Sequence, residues 1–246
     1  MKTVSYSPLY KLVKKSILSR IADQEWVPGA FLPSEPQLAK EYEVSHGTLR
    51  RALDELTRER RLTRHQGKGT AVSLLDSELA LFQFFKIYDK NGERVFPTAD
   101  NIKIAVGMGK REGAVKEEAE KLNIAAGERV VRIQRVRRIE GSPVFNELIT
   151  VPEKRFPNLQ AMPIETLPNT LYDFYQKEYA VTITTAEERL TAIFADKTDA
   201  QLLDIPEGTP LLSIVRVCYD IKNEPVEYRR THMLTQSYSY YAVVNE

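Results

Sequence analysis

The sequence lacks the features that mark secreted, membrane-spanning and metal-dependent proteins. It has a single cysteine, Cys218, which excludes an intrachain disulfide and favours a reducing compartment, the cytoplasm. No apolar run approaches the ~18 residues that a membrane span needs, and the N-terminus has no apolar core of a secretory signal. The chain has three histidines, no HExxH motif and no nucleotide-binding glycine loop. The sequence therefore predicts neither a metal nor a cofactor.

Neither sign of charge dominates the whole chain, but the two signs are unevenly distributed. Residues 1–75 hold 13 Lys and Arg against 8 Asp and Glu, whereas the remainder holds 22 against 26. Apolar residues make up 42% and charged residues 28%, a globular mixture that excludes disordered and fibrous classes. The basic head predicts contact with a polyanion such as DNA, and the alternative is an ordinary solvated surface.

Three helices and a hairpin are predicted in the basic head. Pro8 begins the first helix, and Ser34 has capping-box spacing to Gln37 for a second helix over about 35–42. Ser45 is the candidate N-cap of the third helix. Residues 62–72 alternate around a glycine-containing turn, as in a hairpin. The apolar stripes are Leu9, Val13, Ile17 and Ile21 in the first helix and Leu49, Ala52, Leu53 and Leu56 in the third.

This order of elements is that of a winged helix-turn-helix, although a small basic three-helix domain with a surface hairpin would also fit. In a winged helix-turn-helix the third helix enters the major groove by its N-terminus. The glycines on either side of Lys68 allow the backbone to approach DNA closely. The predicted DNA contacts are Ser34, Ser45, His46, Thr48, Arg50, Arg51, Arg64, Gln66, Gly67, Lys68 and Gly69.

The head resembles the DNA-binding domain of GntR-type bacterial transcription regulators over residues 8–72. The matching motifs are Pro8-Leu9-Tyr10, Pro28-Gly29, Leu32-Pro33-Ser34-Glu35, Leu38-Ala39, Val44-Ser45, Thr48-Leu49-Arg50, Ala52-Leu53 and Gly67-Lys68-Gly69-Thr70. Pro36 and His46 stand where the family commonly has arginines that contact operator bases. The resemblance therefore implies DNA binding with an altered operator, in which His46 either donates to guanine N7 or lies in a surface turn.

The rest of the chain contains an internal repeat with a spacing of 81 residues. Residues 122–127 correspond to 203–208, and the strands over 131–136 and 212–217 align without a gap. Each copy predicts a helix, a glycine turn, a long strand, a hairpin and a return strand. Two copies favour one pseudo-symmetric antiparallel sheet with helices on one side. Between them, a capped helix after Thr170 and a strand over 181–193 are predicted.

Residues 78–244 resemble the effector-binding UTRA domain of the HutC subfamily, which has a chorismate-lyase-like fold. The matching segments are 135–137, 141–144, Glu147, 156–157, 170–172, 206–208 and 225–228. The implied architecture is α+β, with a winged helix-turn-helix over 1–75 and an antiparallel sheet with helices over 78–246 for effector binding and dimerisation. The implied effector residues are Arg135, Arg137, Glu147, Thr170, Tyr172, Glu227 and Tyr228, although Arg137 on a half-exposed strand could also face solvent.

One segment departs from the UTRA pattern. Residues 81–88 and 94–97 flank an Asn91-Gly92 turn and predict a hairpin, where many relatives begin with a helix that contacts the ligand. The sugar-phosphate preference of some relatives therefore transfers poorly. Whether Phe82, Phe84 and Phe85 line the ligand cleft or the core stays open.

The resemblances imply a cytoplasmic, ligand-responsive transcription regulator that binds an inverted-repeat operator in double-stranded DNA as a homodimer. They favour a repressor, and the sequence leaves repressor and activator open, because that choice depends on where the operator lies relative to the promoter. A small anionic metabolite, bound by the arginines of the second domain, would release it. Two alternatives are a ligand-independent DNA-binding protein and an enzyme with a lyase-like fold. The enzyme is disfavoured because His232 and Cys218 belong to no recognisable catalytic motif.

Overall fold

The computed structural model describes residues 8–59, 61–73, 86–108 and 113–242. The chain divides into two compact units, Met1–Leu75 and Asp76–Glu246. No helix within the described ranges is long and apolar enough to cross a membrane. Phe82, Phe84 and Phe85 lie outside these ranges, together with most of the strand predicted over 81–88.

The first unit is a three-helix domain followed by a two-stranded hairpin. Its elements are α1 (Leu9–Ala22), α2 (Glu35–Glu41), α3 (His46–Arg58), β1 (Leu62–His65) and β2 (Gly69–Val72). The predicted stripe of α3 is fully buried, and Val13, Ile17 and Ile21 of the predicted stripe of α1 are buried as well. Leu9, in contrast, is 53% exposed, because the packed face of α1 begins one turn later, at Val13.

The hairpin is attached to the helical core by backbone contacts. The Leu32 N–H donates to the Thr70 carbonyl at 2.8 Å, and Phe31 forms a β-bridge with Ala71. Gly67 and Gly69 have φ of +72° and +110°, a left-handed conformation that favours glycine. The turn between β1 and β2 is therefore specified by its glycines, and it presents Lys68 to solvent.

The second unit is built on a six-stranded antiparallel sheet. Its elements are β3 (Ile87–Asp89), β4 (Thr98–Met108), α4 (Gly113–Leu122), β5 (Arg129–Ile139), β6 (Ser142–Pro152), α5 (Leu171–Tyr179), β7 (Ile183–Phe194), α6 (Lys197–Leu203), β8 (Pro210–Asp220), β9 (Pro225–Met233) and β10 (Tyr238–Tyr240). The order of strands in the sheet is β4-β5-β6-β9-β8-β7. The repeat is confirmed: each copy supplies a helix and two long strands, and β6 of the first copy pairs with β9 of the second.

Helices cover both faces of this sheet, so the expectation of helices on one side was wrong. Neighbouring residues of a strand point to opposite faces. On β9, Tyr228 packs with Leu122 of α4, whereas Glu227 accepts hydrogen bonds from Tyr172 and Tyr175 of α5. The segment between the two repeats therefore lies across the face that α4 does not cover.

The hairpin predicted around Asn91-Gly92 is only partly present. The turn forms, and the Gly92 N–H donates to the Asp89 carbonyl at 3.2 Å. The return strand, however, is reduced to one bridge between Tyr88 and Arg94. β3 pairs instead with β10, near the end of the chain, with Ile87 opposite Tyr240. This β3–β10 ribbon lies beside the central sheet and borders the pocket described below.

Candidate DNA-binding surface and ligand pocket

The N-terminal ends of α2 and α3 are fixed by hydroxyl caps. The Ser34 N–H and hydroxyl both donate to Gln37 Oε1, at 2.9 and 2.7 Å. The Ser45 hydroxyl accepts from the Thr48 N–H at 3.2 Å and lies 2.9 Å from the Thr48 hydroxyl. Ser34 thus fixes the start of α2, whereas Ser45 and Thr48 fix the start of α3, the helix that carries His46, Arg50 and Arg51.

Two of the predicted arginines meet at a carboxylate of α2. Glu35 lies 3.9 Å from Arg50 Nε and 3.5 Å from Arg64 Nη2, and Arg64 also pairs with Asp54 at 2.7 Å. Such exposed pairs contribute little stability, so both arginines can exchange these partners for phosphates. Arg51 stacks over the Tyr10 ring at 4.1 Å, which orients it toward α1.

The remaining predicted DNA contacts lie at the start of α3 and in the hairpin turn. All are exposed except Thr48, which is half-buried. The structure thus leaves polar and basic side chains accessible at the start of α2, in the first turns of α3 and in the hairpin. This set consists of Ser34, Ser45, His46, Thr48, Arg50, Arg51, Arg64, Gln66, Gly67, Lys68 and Gly69.

In the second unit, ionised side chains collect on the α5 face of the sheet. The strand register places Arg135 opposite Glu147 and Glu147 opposite Thr231. One step along, Arg229 lies opposite Arg216 and Arg216 opposite Glu188. We call the following set the charged cluster: Arg135, Arg137, Glu147, Glu188, Arg216, Glu227 and Arg229.

Glu147 lies at the centre of the charged cluster, between two arginines. Arg137 Nε donates to one of its oxygens at 2.6 Å, and Arg229 Nη1 donates to the other at 3.3 Å. Burial alone raises the pKa of Glu147, but Arg137, Arg229 and Arg135 outweigh burial and lower the pKa to about 2. Glu147 is therefore ionised, although it is buried.

Glu227 has its hydrogen-bonding capacity met within the protein. Arg229 donates to its two oxygens at 3.0 and 3.1 Å, and the hydroxyls of Tyr172 and Tyr175 donate at 3.2 and 2.9 Å. Burial raises the pKa of both tyrosines well above the usual range, so their hydroxyls remain donors. Glu227 and Tyr172, both predicted as effector contacts, are thus hydrogen-bonded to each other, and neither lines the pocket described below.

Arg135 is the member of the charged cluster whose donors are not all used. It is fully buried, and Nη2 donates to the carbonyls of Pro168 and Asn169 at 2.8 and 3.1 Å. Its Nε and Nη1 have no hydrogen-bond partner in the described part of the chain. Burial, together with the charge of Arg137, lowers the pKa of Arg135 to about 9. A buried cation with idle donors is energetically costly.

The net charge of the cluster also indicates that Arg135 lacks a partner of opposite charge. Four arginines face three glutamates, and Glu188 is paired with Arg216, whose Nε donates to it at 2.7 Å. Arg137 is paired with Glu147 and also donates to the Asn169 side chain at 3.1 Å. The cluster therefore carries one positive charge in excess, beside the arginine with idle donors.

A pocket opens onto this cluster from the side of the β3–β10 ribbon. Its volume is about 330 Å³ when the open solvent at its mouth is counted, and only a small part of that volume is enclosed. Arg135 itself does not line the pocket. Glu147, which lies opposite Arg135 on the neighbouring strand, does line it, so the Glu147 carboxylate lies between Arg135 and the pocket. The lining residues are Lys86, Ile87, Phe145, Glu147, Ile214, Arg216, Arg229, Thr231 and Tyr240.

The structure does not bring every predicted effector residue to this site. Tyr228 points to the α4 face, as its neighbour Glu227 points to the other, and it packs in the core with Leu122, so its grouping with the effector contacts was wrong. Arg137 is 1% exposed, which removes the alternative that it faces solvent. Thr170 is half-buried directly before α5, next to the carbonyl that accepts from Arg135 and Arg137.

Several residues of the site were missed from the sequence. Arg216 was detectable, because it is the counterpart of Arg135 at the repeat spacing of 81 residues. Arg229 follows Glu227 by two positions and so shares its face. No sequence pattern identifies Lys86 and Tyr240 as pocket residues, since only the pairing of β3 with β10 brings them to the pocket.

Comparisons with known proteins agree with this architecture. The UTRA domain model matches residues 105–239, and the model of bacterial regulatory proteins of the gntR family matches residues 9–72. The chain is 31% identical to the histidine utilization repressor of Pseudomonas aeruginosa over 85% of its own length and 81% of the relative's. It is 27% identical to the mannosyl-D-glycerate transport/metabolism system repressor MngR of Escherichia coli, over 96% of both chains. The crystal structure of PhnF from Mycobacterium smegmatis has the same fold, with a TM-score of 0.53 at 23% identity, over 94% of this chain and 98% of that one.

Proposed function

This chain belongs to the GntR family of bacterial regulatory proteins, as a member with a UTRA domain, and we propose that it represses transcription as a ligand-released homodimer on an inverted-repeat operator. The protein is a transcription regulator and not an enzyme. Members of its family bind DNA and effector metabolites. We place its action in the cytoplasm, where its operator would be.

The operator is contacted by the first turns of α3 and by the turn between β1 and β2. Exposed arginines and Lys68 at these positions are suited to phosphates, and the N-terminal residues of α3 are suited to base edges. One helix-turn-helix covers a single half-site, and two-fold dimers bind symmetric half-sites. These considerations support an inverted repeat, bound by two copies of the chain.

The contribution of the hairpin turn can be measured by the salt dependence of operator binding. Lys68→Ala is expected to weaken binding and to reduce the slope of log affinity against log salt concentration by about 0.9, the value for one lost phosphate contact. Lys197→Ala removes the same charge from an exposed position of α6 and should leave the slope unchanged. If both variants behave like the wild type, the turn does not contact DNA.

The observation that carries the ligand proposal is the buried Arg135 with its idle Nε and Nη1. A carboxylate or phosphate bound there would accept from these donors and balance the excess positive charge of the cluster. The rest of the ligand would pass Glu147 into the pocket. Glu147 is suited to a hydroxyl or an amine of the ligand, since an ionised carboxylate only accepts hydrogen bonds.

The ligand acts on operator binding only through a difference in its affinity for two states of the dimer. We propose that it favours a state in which the two recognition helices no longer match successive major grooves. A coupling of about 1–3 kcal/mol between the two sites is typical of such regulators. Ligand-independent DNA binding is the competing hypothesis, and it predicts that no metabolite raises the thermal stability of the protein.

A further inference from the structure

Asn169 is an exposed residue that contacts two buried arginines of β5. It lies two residues before α5 begins at Leu171. Its main-chain carbonyl accepts from Nη2 of Arg135 at 3.1 Å and from Nη2 of Arg137 at 3.2 Å. Its side-chain oxygen accepts from Nη1 of Arg137 at 3.1 Å. Two oxygens of one surface residue thus lie against both guanidinium groups.

The hydrogen bonds that hold the segment around Asn169 come mainly from these arginines. The Thr170 side chain does not cap α5, and residues 168–170 form no loop or turn hydrogen bond between main-chain groups within the described ranges. The Pro168 carbonyl accepts from Arg135 at 2.8 Å. The Asn169 side chain adds a bond to the residue before β4, since its Nδ2 donates to the Pro97 carbonyl at 3.2 Å. The hydrogen bonds of this segment therefore depend on the two arginines and on Asn169.

The oxygens of Asn169 are weak partners for these two arginines. A guanidinium group donates in a planar fork that fits the paired oxygens of a carboxylate or phosphate, and bonds to ionised acceptors are about twice as strong as bonds to neutral ones. Asn169 offers neutral oxygens only, so it leaves the excess positive charge of the cluster unbalanced. It also leaves Nε and Nη1 of Arg135 idle among the described residues. A bound anion is therefore a better partner for these arginines than Asn169 is.

We propose that Asn169 is the gate of the anion site at Arg135: its two oxygens occupy the places that the oxygens of a bound anion take, and an anion binds by displacing them. The inference rests on the anion site proposed above and assigns how that site opens. Because Asn169 is exposed, it can move out into solvent without unpacking the core. The displacement also breaks the bond to Pro97, so anion binding releases the segment before α5 from the start of β4.

Two substitutions of Asn169 are expected to change anion binding in opposite directions. A gate that must open lowers the apparent affinity by the fraction of molecules in which it is open. Asn169→Ala removes the side-chain bonds to Arg137 and Pro97. It should therefore lower the anion concentration needed for half-saturation by about tenfold, the worth of one hydrogen bond to a charged group. Asn169→Asp places a carboxylate against Arg137 and balances the charge of the cluster, so it should abolish anion binding.

The test follows the thermal unfolding of the full chain in increasing sodium phosphate at neutral pH, with sodium chloride at matched ionic strength as the reference. A ligand that binds the folded state raises the unfolding temperature. Phosphate also stabilises proteins without binding to a site, and Arg135→Met supplies that baseline. Gln201→Ala, which removes an exposed amide from α6, is the control for Asn169→Ala and should follow the wild type.

The outcomes separate the gate from the site that it covers. A wild type stabilised above the Arg135→Met baseline, with a lower half-saturating concentration in Asn169→Ala and no response in Asn169→Asp, supports the gate. Half-saturation of Asn169→Ala at or above the wild-type concentration, or a wild-type response in Asn169→Asp, overturns the gate and leaves the anion site standing. A wild type that does not exceed the Arg135→Met baseline overturns both. Each substitution of Asn169 decides independently, should the other fail to fold.

Discussion

Arg135→Met is expected to leave the unliganded protein as stable as the wild type or more stable, whereas Arg137→Met is expected to destabilise it strongly. Both arginines are buried on the same face of β5, so the two substitutions remove the same side chain from similar surroundings. They differ in their partners, since Arg137 is paired with Glu147 and Arg135 has idle donors. The comparison separates a cation kept for a ligand from one that holds the fold.

The magnitudes follow from the cost of buried charge. Replacing a whole buried ion pair by apolar side chains of similar volume is often neutral or stabilising by about 1–4 kcal/mol, and Arg135→Met resembles this case because it leaves no paired carboxylate behind. At Arg135 part of this gain is offset, because the carbonyls of Pro168 and Asn169 lose a donor. Breaking a buried pair, as Arg137→Met does, costs about 3–5 kcal/mol.

Urea denaturation at neutral pH measures both effects as changes in the free energy of unfolding. The expected order of stability is Arg135→Met at or above the wild type, and Arg137→Met well below it. If Arg135→Met loses as much stability as Arg137→Met, Arg135 is a structural residue and its idle donors have no functional meaning.

The second large effect is a loss of stability in acid that depends on Glu147. Its pKa is about 2 in the folded protein, and a glutamate in an unfolded chain has a pKa of about 4.3. Because the folded pKa is the lower one, the contribution of Glu147 is fully present above the unfolded pKa. It is lost as the pH falls from there toward 2. A difference of one between the folded and unfolded pKa corresponds to about 1.4 kcal/mol, so the loss is about 3 kcal/mol.

Glu147→Gln isolates this contribution. The variant should be much less stable than the wild type at pH 7, because Arg137 and Arg229 lose their carboxylate. The difference between the two proteins should shrink as the pH falls below about 4, where the carboxyl of the unfolded wild type takes up a proton and that of the folded protein does not. Glu178→Gln, at an exposed position of α5, is the control and should follow the wild type throughout. A difference that stays constant down to about pH 2.5 would contradict the assigned role of Glu147.

The features that the sequence specified well are those that depend on short spacings. The caps at Ser34 and Ser45 and the buried stripe of α3 depend on residues three or four positions apart, and the structure contains all of them. The repeat could also be detected in the sequence, because two copies of one strand pattern lie 81 residues apart. Local geometry determines these features without any knowledge of how the sheet is assembled.

The features that the sequence did not specify depend on which distant segments meet. The position of α5 on the second face decides that Tyr172 and Tyr175 cover Glu227, and no periodicity in residues 153–182 encodes that choice. The pairing of β3 with β10 likewise joins positions about 150 residues apart, Ile87 and Tyr240. The alternation of side chains along β9 places Glu227 and Tyr228 on opposite faces of the sheet. The two residues were nevertheless predicted together, because one family motif contains both.

Operator release by small anions, compared between the wild type and Arg135→Met, tests the proposed ligand site most directly. Fluorescence anisotropy of labelled operator would follow both proteins against a panel of carboxylates and phosphate esters, each with its uncharged counterpart. We expect one or more anionic compounds to release the wild type, their uncharged counterparts to be inactive, and Arg135→Met to bind operator normally without responding. Release of the variant at the same concentrations, or release of the wild type by uncharged compounds alone, would contradict an anion site at Arg135.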